Sequence, residues 1–173
     1  MEALATQLSQ QLPYEVRALS HEDDAQIYAL QKQYQRYFDL FMDHKLTQRE
    51  ATSDLDELAA EAAVAQKQYL GFFDKGQLMG TVDLTIDYPL PQLVWLGQYF
   101  TDQSISVMQR REMLENILQT LKQLTAVQVQ LFVLKADKDG QQFYQQLAFE
   151  PISETRTTIA GDWVDVTIYQ RNL

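Results

Sequence analysis

The chain has 173 residues, enough for one domain of ordinary size and too few for two with separate cores. A hydrophobic content of 46% supplies apolar surface to offset backbone entropy, so a folded core is expected and disorder is not. Fourteen Lys and Arg against 24 Asp and Glu give a net charge of −10, which phosphate backbones and anionic lipid repel, so neither nucleic acid nor a membrane surface is an expected partner. The absence of Cys removes disulfides, thiolate nucleophiles, iron–sulfur clusters and Cys-based zinc sites. His21 and His44 are too few for a His-rich metal site, and no metal is expected. The N-terminus lacks the basic and apolar regions of a secretory signal, and no apolar run approaches the roughly 20 residues that span a bilayer. A cytoplasmic globular domain is the expectation.

Residues 1–13 read as a short helix or frayed arm closed by Pro13, attached to a single domain that fills the rest of the chain. Tyr14 to Leu19 read as a first strand, and Ser20 with Asp23 makes a Ser-x-x-Asp helix start. Ile27, Leu30, Tyr34, Phe38 and Phe41 then recur at three- and four-residue steps as one apolar stripe. Its aromatic end, from Tyr34 to Phe41, suits a core and also suits the wall of a substrate pocket. Ser53 with Asp56 predicts another helix through the Ala-rich Leu58 to Ala65.

The period changes to two in the middle of the chain. Tyr69 to Phe73 and Leu78 to Tyr88 form a predicted hairpin about Asp74-Lys75-Gly76-Gln77, with Val82, Leu84, Ile86 and Tyr88 on one face and Thr81, Asp83, Thr85 and Asp87 on the other. Leu93 to Phe100 is a further strand, apolar enough to predict burial on both faces. Ser106 with Gln109 opens a long helix carrying Met113, Leu114, Ile117, Leu118 and Leu121. A strand at Val127 to Leu134, a short helix at Asp137 to Leu147 and two closing strands about Gly161-Asp162 complete the order. A strand, helix, strand crossover flanked by hairpins implies an α/β fold with a central mixed sheet and helices on both faces. The 24 Gln fall between apolar positions and read as solvated faces.

Several chemistries have no footing here. No Gly-Lys-Ser/Thr phosphate loop, Gly-x-Ser-x-Gly elbow or His-Glu-x-x-His pair occurs. Asp137-Lys138-Asp139-Gly140 starts like a calcium loop, but the Gln141 and Gln142 that follow and the missing late Glu do not continue it.

One segment carries a more specific signal. Asp137-Lys138-Asp139-Gly140-Gln141-Gln142-Phe143-Tyr144-Gln145-Gln146-Leu147-Ala148-Phe149 resembles the N-x-x-A-x-x-F/L-Y-x-x-x-G-F segment of the GNAT superfamily of acyl-CoA-dependent N-acyltransferases, with Phe143, Tyr144 and Phe149 matching outright. The element order from Tyr14 to the C-terminus, and the closing Gly161 to Tyr169, are similar to that family as well. The resemblance implies the GNAT fold, acetyl-CoA as cosubstrate, and direct attack of a small-molecule or peptide amine on the thioester, with backbone N–H groups of the fourth strand holding the oxyanion. It implies Tyr144 as the acid that protonates the departing thiolate. No carboxylate lies on the fourth strand, so a base would come from Asp83, Asp87, the Asp102 end or water.

For the cofactor, the resemblance implies Tyr99 and Phe100, the helix start at Ser106, Val107, Met108, Gln109, Arg110 and Arg111, and Asp137 with Phe143. The family's Q/R-x-x-G-x-G/A segment has no glycine counterpart between Asp102 and Arg111; one alignment places Gln103, Ser106 and Met108 at its fixed positions, another Ile105, Met108 and Arg110. Free N–H groups of the helix start, with Arg110 and Arg111 supplying charge, are the expected replacement. A chain that keeps the fold and binds a ligand or protein partner without turnover is the alternative fed by the missing glycines. The net charge favours a cationic amine, and the sequence leaves a homodimer open.

Overall fold

A computed structural model describes residues 2–159 and 161–173. Helix α1 (Glu2–Gln11) leads into strand β1 (Glu15–Ala18), and Ser20 caps a short 3₁₀ turn by accepting from the backbone while Asp23 accepts from the Ser20 N–H. The capping box read from the sequence thus launches α2 (Asp24–Gln31). The expected continuous stripe is interrupted: a tight turn at Lys32–Tyr34 separates α2 from α3 (Gln35–Phe38), which turns the aromatic residues away from the α2 axis.

The helix expected at Leu58 to Ala65 is not formed. The helix of this region is α4 (Gln48–Thr52), ahead of it, where Thr47 and Glu50 make a reciprocal capping box. Ser53 donates its hydroxyl back to the Glu50 carbonyl at 3.1 Å and so ends that helix in place of starting one. The alanines beyond it carry too little side chain to bury a helical face.

Strands β2 (Lys67–Asp74) and β3 (Gln77–Ile86) form the expected hairpin, with Lys75 at φ 50° and Gly76 at φ 82°. Positive φ at both turn positions matches the right-handed strand twist, and glycine carries the second without strain. Strand β4 (Leu93–Thr101), helix α5 (Val107–Gln123), strand β5 (Gln128–Leu134), helix α6 (Lys138–Gln145) and strands β6 (Glu150–Ile159) and β7 (Asp162–Asn172) follow. The seven strands form one sheet in the order β1-β2-β3-β4-β5-β7-β6, in which β4 and β5 are the parallel neighbours and all other pairs are antiparallel.

The two faces have separate cores. On one, Met113, Leu114, Ile117, Leu118 and Leu121 of α5 pack with Val82, Leu84, Leu131 and Phe143. Residues of the expected arm belong to this core: Leu4 and Leu8 are buried in it, and Thr120 of α5 donates to Gln11 at 3.0 Å. Burying two Leu contributes roughly 1.5 to 3 kcal/mol each, so α1 is part of the domain and is not a frayed extension of it. The other face is covered by α2, α3 and α4, through clusters about Ile27, Leu30 and Tyr69 and about Phe38, Leu46 and Ala51.

Candidate functional site

The sheet opens where its parallel pair separates. Leu93, Val94 and Trp95 pair with Gln128, Val129 and Gln130, and no later residue of β4 pairs with β5. At the same place β4 bulges: Leu84 pairs with Leu96 but Asp83 with Gln98, which leaves Gly97 as the extra residue. Backbone groups of β4 that face β5 beyond Trp95 therefore have no ladder partner, and Gly97 and Gln98 are accessible although the sequence predicts burial of this strand on both faces. Gly97 also permits a close approach. A Cβ there would lie 2.9 Å from Asp83 Oδ2.

Two clefts meet at this bulge. The first, of about 830 Å³, is walled by β4, β5 and α6, with α3 and the turn before it closing one side, and includes Tyr99, Phe100, Arg110, Asp137, Phe143 and Tyr144. The second, of about 820 Å³, lies on the α2–α4 face and includes Tyr37, Phe41, Asp54, Lys67, Asp83 and Trp95. Gly97, Gln98, Tyr37, Phe100 and Phe132 line both.

In the first cleft Asp137 caps α6 by accepting from the Gly140 N–H at 2.9 Å. That helix presents Phe143, whose ring stacks on Tyr99 with centroids 6.4 Å apart, and Tyr144, set edge-on to Phe143 and Phe149. Tyr99 donates its hydroxyl to the Arg110 carbonyl at 2.9 Å. Burial pushes the Tyr144 hydroxyl above its ordinary range, so it holds its proton at any physiological pH. The Arg110 guanidinium lies over the Phe143 ring at 4.9 Å, and its Nε is buried without a hydrogen-bond partner. An unpaired cationic donor lining a cleft calls for an anion.

The helix start expected to hold phosphate is partly occupied by its own side chains. Ser106 Oγ accepts from the Gln109 N–H at 3.2 Å, and Gln109 Oε1 accepts from the Ser106 N–H at 3.0 Å. This leaves the N–H groups of Val107 and Met108 as the free donors of the first turn. Arg111 turns away from the first cleft and donates to Gln146. The paired arginine role expected from the sequence thus divides, with Arg110 alone facing the cleft.

The candidate bases also separate. Asp83 lies on the floor of the second cleft, 2.8 Å from Lys67 Nζ through Oδ2, with Oδ1 buried and unpartnered. Asp87 does not join it: it occupies the exposed turn after β3 at φ 53° and accepts from the Gln92 N–H at 2.7 Å, outside both clefts. Asp102 is held in its loop by Ser104 and Gln33, whose hydrogen bonds keep its carboxyl below the usual range.

A polar network missed by sequence reasoning stands between the clefts. Gln31, buried on α2, donates to the Ala51 carbonyl at 3.0 Å and to Gln98 Oε1 at 3.2 Å, and Gln98 Nε2 donates in turn to Asp54. Burial, then the negative Asp83, pushes Asp54 up to about 6. The available signal is a lone Gln in an otherwise apolar strand; Asp54 itself, between two short helical turns, carries none.

No protein-family model matches the sequence, and no curated protein matches it. Solved structures do. An acetyltransferase from Thermus thermophilus superposes with a TM-score of 0.70 at 16% identity, over 94% of this chain and 98% of that one. PaiA N-acetyltransferase from Thermoplasma acidophilum, solved in complex with coenzyme A, gives 0.67 at 16% identity over 94% and 100%. Ribosomal-protein-alanine N-acetyltransferase from Brucella melitensis gives 0.63 at 12% identity over 91% and 99%. The chain has the fold of the GNAT N-acetyltransferases.

Proposed function

We propose that this GNAT-fold protein transfers an acetyl group from acetyl-CoA to an amine by direct attack, with the donor in the first cleft and the acceptor in the second. The observation that carries the reading is the meeting of the two clefts at the β4 bulge, where Gly97 and Gln98 line both. A donor between β4 and β5 and an acceptor on the α2–α4 face have their reactive ends brought together there, which is the positioning that a two-substrate reaction without a protein nucleophile requires.

The donor cleft fits CoA in part. The separation of β4 and β5 admits an extended arm, and the orphaned Arg110 Nε, with the Val107 and Met108 N–H groups, suits phosphate. Bound acetyl-CoA supplies an activated thioester. Unpaired N–H groups of β4 stabilise negative charge on its carbonyl oxygen, and Tyr144 donates a proton to sulfur as the thiol departs. Neither role uses a metal.

Two observations support the competing reading, a module that binds without turnover: the helix start is self-capped, and it lacks glycine. Thermal denaturation with CoA and acetyl-CoA, followed by thiol release with a panel of amines, separates them. The acetyl-transfer reading predicts a rise in Tm with ligand above its Kd and amine-dependent thiol. A rise in Tm with no thiol from any amine favours the binding module.

A further inference from the structure

The acceptor cleft has a polar floor and an aromatic wall. On the floor Asp83 is 7% exposed, and its Oδ1 has no partner although Lys67 holds the other oxygen. Beside it Asp54 is fixed through Gln98, itself fixed through Gln31, so that its carboxylate stands at the bulge where both clefts meet. The wall is Tyr37, Phe38 and Phe41 from α3 and its continuation, faced by Trp95 and Phe132 of β4 and β5.

Resting on the acetyl-transfer reading, we propose that Asp54 is the general base and that the acceptor is a primary amine carried on an aromatic body, its ammonium gathered by Asp83. A cationic head needs the unpartnered carboxylate oxygen, and a flat apolar body needs the ring-lined wall; a chain of dispersed cations would leave that wall bare. In the transfer the ammonium gathered by Asp83 first passes one proton to solvent water; the resulting neutral amine nitrogen gives its lone pair to the thioester carbon and the C–N bond forms. The C–S bond breaks, the proton shed by nitrogen goes to Asp54, and sulfur takes a proton from Tyr144. Solvent restores both residues, so atoms and charge balance.

The groups facing Asp54 tune it for that task. Asp83 on β3 and Glu57 after α4 raise its proton affinity, whereas Lys67 on β2 and the Gln98 amide lower it; Tyr69 on β2 and Arg49 and Glu50 on α4 lie around the same space. Burial dominates, and a base titrating near 6 is ionised at neutral pH yet still accepts a proton.

The test pairs Asp54→Asn and Asp83→Asn with phenethylamine and acetyl-CoA, with carboxyl NMR of the apo protein. Asp54→Asn is expected to lower kcat by about 10²- to 10⁴-fold and to remove the rise in kcat/KM near pH 6, with the CoA-induced rise in Tm kept. In the apo wild type, phenethylammonium should lower the Asp54 titration midpoint, and Asp83→Asn should weaken that response. An unchanged pH profile in Asp54→Asn overturns the base. A rise in Tm with CoA, but no phenethylamine response in NMR or thiol release, overturns the acceptor assignment alone. Loss of the CoA effect in the wild type overturns the underlying acetyl-transfer reading instead, and the base with it.

Discussion

The first cleft, the proposed donor side, takes its β5 and α6 walls from regular elements of seven and eight residues, with α3 and the turn before it closing one side, whereas the second, the proposed acceptor side, rests on the four-residue α3, the five-residue α4 and the irregular chain around them. Regular elements fix their side chains through local hydrogen bonds and one continuous core. Short turns depend on contacts far apart in sequence, such as Gln31 to Ala51 and Gln98 to Asp54. Under the proposed assignment, the side resting on α6 and β5 would hold the donor through locally fixed residues, and the side built on short turns, which would select the acceptor, is the one altered by changing few residues. A fold shared with proteins only 12 to 16% identical is consistent with that division.

The comparison is sharpest at the residues assigned to each side. Tyr144→Phe removes one donor-side hydroxyl and little volume, and turnover is expected to fall by about 10²- to 10⁴-fold with the CoA Tm shift retained; steady-state kinetics checks it, and an unchanged rate would make Tyr144 a packing residue. Arg110→Gln should weaken CoA binding by a charge-assisted contact, roughly 1.5 to 3 kcal/mol, while Arg111→Gln, which faces Gln146, should leave it unchanged. Calorimetry distinguishes them, and equal losses would mean that the helix start rearranges around the ligand.

On the acceptor side the expected effects are on stability as well as rate. The folded-state pKa of Asp54, about 6, stands above its unfolded value of roughly 3.9, so the group favours the fold below the lower value and that contribution is lost as pH rises through 6. Asp54→Asn should therefore stabilise the apo protein at about pH 8 by on the order of 2 kcal/mol and have little effect below about pH 4, as measured by denaturant unfolding. The smallest expected effect is local. Thr47→Ala removes the cap of α4 and should cost about 1 kcal/mol, with the α4 amides exchanging faster through local opening and those of α5 accelerated no more than the loss of global stability requires.

Legibility in the sequence follows the same division. The caps at Ser20 and Ser106, the Lys75-Gly76 turn and the α5 stripe are local patterns, and each forms as expected. Asp137, Phe143 and Tyr144 lie together because they share one capped helix. Sequence and structure differ where tertiary contact overrides pattern. Asp87 continues the face of Asp83 by period, but the strand ends at Ile86 and a turn removes it. The Ala-rich segment has helical propensity without a face to bury. The apolar run of β4 implies burial on both faces, and no pattern announces that two strands will part. Asp54 reaches Gln98 across 44 residues, a distance that no motif spans.

The central claim is that a donor enters between β4 and β5 and meets the acceptor at the β4 bulge. Amide chemical-shift mapping of the labelled protein with CoA tests it most directly. The account predicts shifts concentrated at Leu96 to Phe100, Val107 to Arg110 and Gly140 to Tyr144, with α4 unaffected. Shifts confined to the α2–α4 face, or none at CoA concentrations in the millimolar range, would contradict it.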